Sequence, residues 1–358
     1  MNRRKALFHF PSFFETFLIL IVLPMVALAV IVSYLYVQSL LEEKVVTYTA
    51  RGYEKSIKPI TVTQLLQSKL VDTSTYLFFG DMMLGRNVEN IMDAKGDEYV
   101  LANVAGIIDH ATAGLKTSPK ESLAIIGNLE GPILTDHVRT PSMGFQFSFP
   151  TRVTAVLKSA GFTHLSIANN HSRDWGVEGE QETSRHLREV GIVPMVHASS
   201  TVVGKVQIIT ADDVSRTVNP VQLCGLVDPE LFSVLYIHWG EEYIRTSNTR
   251  QHEITTALTD CGIDAIIGHH PHVTQTITEG TNTSPIVFYS LGNFIFDQYF
   301  STDVQRGVVV GMRLSKDKVT FMTFPIVIDR SVPRLMREDE FDPTQPCERT
   351  QCEFTVAR

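Results

Sequence analysis

The sequence predicts an α/β domain with a buried sheet, preceded by one N-terminal transmembrane helix. Two observations lead to this prediction. Short apolar runs of strand length alternate with helical patterns through most of the chain, and a separate apolar run near the N-terminus contains no charged residue. The composition of the 358 residues, 44% hydrophobic and 20% charged, is that of a globular chain and argues against disorder.

The N-terminal apolar run is long enough to cross a bilayer. Its 21 residues from Phe17 to Val37 would form a helix of about 31 Å, which matches the hydrocarbon core. Basic residues 3–5 precede it, so the positive-inside rule places the N-terminus in the cytoplasm. A signal peptide cleaved after Ala29 is the alternative, but apolar residues continue beyond that point, which favours an uncleaved signal anchor.

These features divide the chain into five parts. We expect a cytoplasmic N-terminus at residues 1–15, a transmembrane signal anchor at 16–41, a stalk at 42–72, the main domain at 73–335 and a polar C-terminal tail at 336–358. The expected location is therefore the cell membrane, with a single pass and an extracytoplasmic domain. Lys and Arg total 31 against 39 Asp and Glu, and the resulting net charge of −8 argues against a nucleic-acid partner.

Six apolar runs in the main domain predict strands, and each ends in a Gly, Asn, Ser or His-rich segment. They are Tyr76–Phe79, Leu123–Ile126, His164–Ala168, Val234–Ile237, Ala265–Ile267 and Ile286–Tyr289. Helical patterns lie between them at Thr151–Ala160, Glu178–Val190 and Arg250–Cys261, and two closing strands follow at Gly307–Leu314 and Val319–Ile328. Because ligands of open α/β sheets lie beyond the carboxyl ends of the strands, these polar segments predict the functional site.

The polar segments contain a set of residues suited to metal binding. Two carboxylates, one amide and three imidazoles without a thiolate suit one or two divalent ions of Zn, Mn or Fe. The set is Asp81, Glu130, Asn170, His238, His270 and His272. Any one of these histidines could instead be a structural residue, and Asn170 could be a turn former.

The same segments resemble a known family. They read Gly80-Asp81-Met-Met-Leu-Gly-Arg86, Asn128-Leu-Glu130-Gly-Pro132, Ala168-Asn-Asn-His171-Ser-Arg-Asp174-Trp-Gly176, His238-Trp-Gly-Glu-Glu-Tyr243, Gly268-His-His-Pro-His272-Val and Tyr289-Ser-Leu-Gly-Asn-Phe294. In this order they look like the CapA family, which is named for poly-γ-glutamate capsule biosynthesis and is related to calcineurin-like metallophosphoesterases. The resemblance implies a two-sheet sandwich flanked by helices.

The resemblance also implies roles for individual residues. Asp81 matches the first aspartate of the wider superfamily, and Glu130, or alternatively Asn128, takes the place of its bridging carboxylate. Asn170 matches the asparagine of an Asn-His pair. The histidine ligands implied are His238, His270 and His272, with His269 as a neighbour rather than a ligand. The sequence departs from the superfamily at Met83, where the histidine of an Asp-x-His pair is replaced.

Three residues are catalytic candidates on this resemblance. His171 would serve the chemistry rather than metal binding, because it stands beside the ligand Asn170. Asp174 would orient His171 or cap the following helix, and Arg86 would bind an anionic group of the substrate or lie on the surface. Trp239 and Tyr243 could line the pocket or pack in the core.

The four cysteines lie outside the predicted site. Cys224 and Cys261 are interpreted as buried thiols because of their mixed apolar surroundings. Cys347 and Cys352, in the tail, could form a small-loop disulfide outside the membrane.

Together these observations predict a membrane-anchored, extracytoplasmic CapA-like protein. It would act in synthesis, export or anchoring of an anionic surface polymer such as poly-γ-glutamate, through a metal-dependent hydrolase site for a phosphoester or amide. The expected partners are that polymer or a phosphoester substrate, the membrane, and other membrane-bound polymer-synthesis subunits. The alternative is a non-catalytic subunit that binds polymer or partners on a degenerate metallophosphoesterase fold.

Overall fold

A computed structural model describes residues 74–115, 121–281, 283–316, 318–341 and 352–357. The predicted N-terminus, signal anchor and stalk at residues 1–72 lie outside these ranges. Within them, none of the helices is both long and apolar enough to span a membrane.

The described residues alternate between strands and helices. The strands are β1 Ser74–Met82, β2 Ser122–Leu129, β3 Ile133–Leu134, β4 Phe149–Pro150, β5 His164–Ser166, β6 Val193–Met195, β7 Ser199–Val203, β8 Val206–Asp212, β9 Phe232–His238, β10 Ala265–His269, β11 Ile277–Thr278, β12 Ile286–Phe288, β13 Asn293–Ile295, β14 Arg306–Leu314, β15 Lys318–Asp329, β16 Val332–Leu335 and β17 Glu353–Ala357. The α-helices are α1 Arg86–Lys95, α2 Val104–Leu115, α3 Val153–Ser159, α4 Gly176–Glu189, α5 Pro220–Cys224 and α6 Thr249–Thr259, and short 3₁₀ turns lie at Tyr99–Leu101 and Glu338–Glu340.

The strands form two large sheets. In the first sheet the order is β16-β15-β14-β1-β2-β5-β6, with β13 also paired to β1 and β17 to β15. In the second sheet the order is β11-β12-β10-β9-β8-β7, and β3 and β4 form a separate pair. Strands β1, β2, β5 and β6 are parallel, as are β8, β9, β10 and β12, so their carboxyl ends lie together at one edge of each sheet.

Strand alternation builds the layers of the domain. Tyr76 and Phe78 of β1 pack with Tyr236 of β9 in one core between the two sheets. Leu77 and Phe79 point the other way, into a second core with helices α1 to α4. A third core joins the far side of the second sheet to α5 and α6. The period-2 pattern of β1 therefore produces the helix–sheet–sheet–helix arrangement.

The local sequence explains how the helices over the second sheet begin. Helix α5 has Asn219 as its N-cap and Pro220 in its first turn, where the missing amide costs no hydrogen bond. Helix α6 begins with a capping box formed by Asn248 and Gln251.

The predicted fold class is confirmed for the described domain: all six predicted strands, the three predicted helices and the two closing strands are present. The interpretation of Cys224 and Cys261 as thiols is wrong, because they form a disulfide with a Cα–Cα distance of 5.3 Å. Each cysteine lies at the end of a helix, α5 and α6, and these helices pack side by side over the second sheet. Within the segment assigned to the tail, Glu353–Ala357 form β17 and extend the first sheet.

Candidate metal centre

The carboxyl ends of the central strands of both sheets meet at one cluster of acidic and imidazole side chains. His238 and His269, paired in register on β9 and β10, point between the sheets like Tyr236 before them. Asp81 on β1 would face the helices by simple alternation. The pairing of β1 with β2 shifts register between Phe78 and Asp81, and this irregularity turns the Asp81 side chain toward the second sheet.

Two groups of side chains in the described part of the chain bring their ligand atoms within 4.8 Å of one another. One comprises Asp81, Glu130 and His238, all buried. The other comprises His270 and His272, which are buried, and Glu242, which is exposed. Five of the six predicted metal ligands therefore converge at one place.

Asp81 is the centre of this cluster. Its Oδ1 accepts a hydrogen bond of 2.8 Å from Asn128 Nδ2 and lies 3.2 Å from His269 Nδ1. Its Oδ2 accepts from the backbone N–H of His270 at 3.2 Å and lies 3.5 Å from His272 Nδ1. Burial alone would raise the pKa of the Asp81 carboxyl, but the nearby imidazoles of His269, His238 and His272 hold it well below its usual value.

Glu130 is buried without a hydrogen bond. Its side chain is fully shielded from solvent, and within the described residues neither carboxylate oxygen has a hydrogen-bond partner. The nearest imidazole nitrogens, His272 Nε2 and His171 Nε2, lie 3.7 and 3.9 Å from Oε1. Burial, with repulsion from Asp81 and Glu242, raises its pKa well above the ordinary value. A carboxylate in this position would be stabilised by a cation held by these side chains.

His238 and His270 lie close together, and their burial favours the neutral imidazole. His238 Nε2 lies 3.2 Å from His270 Nδ1. Burial lowers the pKa of His238 well below 6.5, with a further effect of His270, and burial with the neighbouring His272 lowers the pKa of His270 to about 4. Neutral imidazoles have the free electron pair that a metal requires.

The backbone at the last histidine pair is strained. His270 and His272 have φ angles of 95° and 56°, in the left-handed region that residues with a Cβ atom rarely adopt. Asn293 Oδ1 lies 2.9 Å from His272 Nδ1 and fixes the ring. Strained residues of this kind persist where the surrounding structure holds them and cluster at functional sites.

His171 is oriented from two sides. Its Nδ1 lies 2.9 Å from Asp174 Oδ2, and its ring stacks on Phe147 with centroids 4.0 Å apart. Asp174 is thus placed against His171, whereas helix α4 has no side-chain cap at its N-terminus. The Nε2 atom of His171 faces Glu130, so His171 presents this ring nitrogen to the cluster and Nδ1 to the carboxylate of Asp174.

Arg86 lies beside the cluster rather than on the surface. Its guanidinium forms an ion pair with Asp297, and its Cζ lies 5.0 Å above the ring of Phe147 and 5.5 Å from that of Phe296. It lines the same cavity, of about 200 Å³, as Glu130 and His171. The sequence pattern could not reveal that Asp297 is the partner of Arg86, because the two residues lie 211 positions apart in the chain.

Asn170 offers a donor to the cluster, whereas Met83 does not. Asn170 Oδ1 is buried without a hydrogen-bond partner among the described residues, so this amide oxygen is available to an ion. The neighbouring Asn169 donates instead to Asn128 Oδ1 and to the carbonyl of Leu129. Met83 is buried, and its sulfur accepts from Gly85 N, so no imidazole enters the site from this position.

Four residues of the cluster were not first-choice ligands from the sequence, although Asn128 was the alternative to Glu130 and His269 was expected as a neighbour. They are Asn128, Glu242, His269 and Asn293. His269 has both ring nitrogens buried without a hydrogen bond of good geometry among the described residues, and its Nδ1 is 3.2 Å from Asp81 Oδ1. The sequence could have indicated His269 as a site residue through its place at the end of β10, in register with His238.

The donor set fits a divalent metal. Bonds of about 2.0–2.2 Å place neighbouring donors of one ion roughly 3–3.5 Å apart, and the contacts around Asp81 and His238 lie in this range. Carboxylate, amide and imidazole donors suit Zn, Mn or Fe. The residues that could hold an ion are Asp81, Glu130, Asn170, His238, Glu242, His269, His270 and His272.

Two curated proteins are similar in sequence. The chain is 29% identical over 299 residues to the PGA biosynthesis protein CapA of Bacillus subtilis strain 168, covering 75% of each chain. It is 29% identical over 260 residues to the capsule biosynthesis protein CapA of Bacillus anthracis, covering 63% of this chain and 60% of that one.

Solved structures give weaker similarities. A structure titled a novel phosphatase, from Mycoplasma pneumoniae, matches with a TM-score of 0.40 at 13% identity, covering 80% of this chain and 94% of that one. A hypothetical protein of Thermus thermophilus matches with a TM-score of 0.42 at 13% identity, covering 79% and 99%.

The family comparison covers the segments that carry the site. The model of the bacterial capsule synthesis protein PGA_cap matches residues 75–196 and 195–298, which is more than half of the chain. These segments contain every residue of the cluster around Asp81 and Glu130. The chain therefore belongs to the bacterial capsule synthesis protein PGA_cap family.

Proposed function

We propose that this protein is a membrane-anchored, extracytoplasmic hydrolase of capsule biosynthesis. Its cluster would bind one or two divalent ions of Mn, Zn or Fe and cleave a phosphoester, or alternatively an amide. The reaction would serve synthesis, export or anchoring of an anionic surface polymer such as poly-γ-glutamate. Other membrane-bound subunits of polymer synthesis are the expected partners.

The observation that carries this proposal is the buried carboxylate of Glu130. A buried, unpaired carboxyl group destabilises a fold, and a protein that needed only stability would have a paired or apolar residue here. Glu130 lies within ligand distance of Asp81 and His238 instead. An ion between these groups would offset the cost of burial and explain why the carboxyl group is there.

The residues around the cluster suit hydrolysis. A metal bound here would supply an activated water near neutral pH. Because Asp174 accepts from Nδ1–H of His171, Nε2, on the side of Glu130, carries a free electron pair in the neutral ring and a proton in the imidazolium. In its imidazolium form His171 can donate the Nε2 proton to a leaving group. Arg86, held by Asp297 between two aromatic rings, lies where it can orient an anionic substrate group.

The disulfide supports the extracytoplasmic placement. Disulfides form and persist mainly outside the reducing cytoplasm, and Cys224 and Cys261 are paired. Cys352 is also disulfide-bonded, while Cys347 lies outside the described residues.

In intact cells, protease added outside should reach residues beyond about 45 while the protein remains with the membrane. A soluble mature chain beginning near Val30 would instead indicate cleavage.

The decisive experiment measures metal and turnover together. The full-length chain would be assayed for bound metal by mass spectrometry and for hydrolysis of bis-p-nitrophenyl phosphate and γ-glutamyl-p-nitroanilide. Replacing His270 with Ala should lower both quantities. His252→Ala is the matched control, because His252 contacts Tyr289 and Ser247 away from the cluster and should leave both unchanged. Absence of bound metal in the wild type contradicts the proposal.

A binding subunit is the second candidate. It is favoured by Met83, which removes one imidazole from the superfamily pattern. This candidate expects metal in the wild type but no turnover on any substrate, with capsule assembly unaffected by His171→Ala. A loss of capsule in cells that carry His171→Ala with normal protein levels would favour the hydrolase.

A further inference from the structure

Large apolar side chains surround the mouth of the cavity that leads to Glu130 and His171. Met143, Phe145 and Phe300 are 81%, 73% and 66% exposed, and all three line this cavity. Scattered exposed hydrophobic residues are ordinary on protein surfaces, whereas a cluster at a cavity mouth marks a binding surface.

This apolar rim, defined as Met143, Phe145, Tyr243 and Phe300, comes from three distant chain segments. The ring of Tyr243 packs edge-on against Phe300 with centroids 5.1 Å apart, and its hydroxyl accepts a hydrogen bond of 3.1 Å from Gln298. The left-handed backbone of Tyr243, with φ of 63°, is held by a bond of 2.8 Å from its N–H to Pro271 O. Packing and hydrogen bonds therefore hold this side of the rim in place.

The opposite side of the rim is tied to the catalytic candidates. Gln146 Nε2 donates to the carbonyl of Asp174 at 2.8 Å, and the N–H of Phe147 donates to the Asp174 carboxylate. Because Asp174 also holds His171, the segment carrying Met143 and Phe145 is fixed relative to the site.

Aromatic rings connect the rim to the cluster without interruption. Tyr243 lies 6.1 Å from the ring of His272, and Phe147 stacks on His171. A molecule whose charged group reached Glu130 would therefore extend its remaining atoms along aromatic walls. The apolar rim continues the site outward.

Charge at the mouth argues against docking on an anionic lipid surface. Arg86 is the one cation among the described residues that line the cavity, and it is paired with Asp297. Glu242 adds an exposed carboxylate at the same mouth. A surface that binds anionic headgroups presents unpaired Lys or Arg.

We propose that the substrate is amphiphilic: a phosphoester with an alkyl or aryl group that lies on the apolar rim while its phosphoryl group reaches the cluster. This inference rests on the proposed function, since it names the substrate class of the same site. Binding should then strengthen as the apolar group grows. A fully buried methylene contributes about fourfold in affinity, and the rim covers a chain only in part.

The test uses the full-length chain in lipid nanodiscs, loaded with Mn²⁺ and titrated with methyl-, butyl- and octylphosphonate. We expect octylphosphonate to bind at least about tenfold more tightly than methylphosphonate. The double variant Phe145→Ser/Phe300→Ser should reduce this ratio to below about threefold while methylphosphonate binding stays unchanged. The control Val202→Ser/Val221→Ser removes exposed apolar groups elsewhere and should keep the wild-type ratio.

The remaining outcomes separate this inference from the proposed function. Equal binding of all three phosphonates would overturn the proposal of an amphiphilic substrate, even if hydrolysis is observed. Chain-length dependence that the rim variant abolishes supports it, even if no ester is hydrolysed. Equally tight binding of octyl glucoside, an uncharged amphiphile, would show a general apolar surface and would also overturn the proposal.

Discussion

Strand β2 has a buried glutamate at each end, and the two have opposite surroundings. Glu121, just before the strand, bonds through both carboxylate oxygens to Arg313, at 3.1 and 3.4 Å, and lies 3.5 Å from Thr75 Oγ1. Glu130, just after the strand, has no hydrogen bond from any described residue. The first carboxylate is matched by a cation of the protein. The second would be matched by a bound metal ion. The glutamate before β2 therefore has a structural role, whereas the glutamate after β2 has a functional one.

The largest expected effect concerns turnover at the carboxyl end. Replacing His171 with Ala should reduce hydrolysis by roughly 10²–10⁴-fold, because the group that can donate a proton to the leaving group is lost. Bound metal, measured in the same preparation, should stay nearly unchanged, since His171 lies 3.9 Å from Glu130 and is bonded to Asp174 instead. Loss of metal as complete as in His270→Ala would make His171 a ligand and remove this division of roles.

Glu130→Gln should weaken metal binding by at least about 10–100-fold, the effect of losing even a supporting residue at such a site. The metal-free protein should at the same time become more stable by about 1 kcal/mol, because Gln removes a charge that faces Asp81 and Glu242. Urea unfolding in EDTA and metal titration measure the two quantities. A destabilised metal-free variant would show that Glu130 has a structural partner.

Glu121→Gln is the matched test at the amino end and should have the opposite sign. It removes the charge that pairs with Arg313, so the free energy of unfolding should fall by about 1–3 kcal/mol. Metal content should not change. If both glutamine variants shift the urea midpoint in the same direction, the contrast between the two ends of β2 is wrong.

The pH dependence of the metal-free protein sharpens the comparison further. The pKa of His270 is lowered from 6.5 to about 4, so the unfolded chain binds more protons than the native one between these values. The free energy of unfolding should therefore fall as pH drops from 6.5 to 4, by up to about 3 kcal/mol from this group. Glu130 acts in the opposite direction, because its raised pKa favours the fold at low pH and loses that contribution as pH rises. In Glu130→Gln the acid-induced decrease should be steeper, as urea midpoints across this range would show.

Much of the fold was predictable because strand alternation and turn residues are local properties. Runs such as Val234–Ile237 before His238 were recognised as strands, and β9 includes them. Helix α1 was not predicted, since its pattern follows the motif around Asp81 without a side-chain cap.

The site was predictable where a residue lies at or just beyond the carboxyl end of a strand, as Asp81, Glu130, His238, His270 and His272 do. It was not predictable where the partner lies far along the chain. Asp297 becomes important only through Arg86, and the orientation of His171 needs the ring of Phe147 as well as the nearby Asp174. The disulfide between Cys224 and Cys261 likewise depends on two helices meeting, which spacing alone does not show.

The position of β1 has a consequence for how the domain can be divided. This strand carries Asp81, yet it lies between β2 and β14, with Leu77 opposite Gly311, 234 residues further along the chain. Contacts this distant in sequence form only after long loops have closed. β13 pairs with β1 only at Asp81 and Met82, so no fragment that ends before β14 holds residues 74–78 of β1 on both sides. A shortened gene that keeps every donor of the cluster would therefore leave the strand that carries Asp81 paired on one side along most of its length.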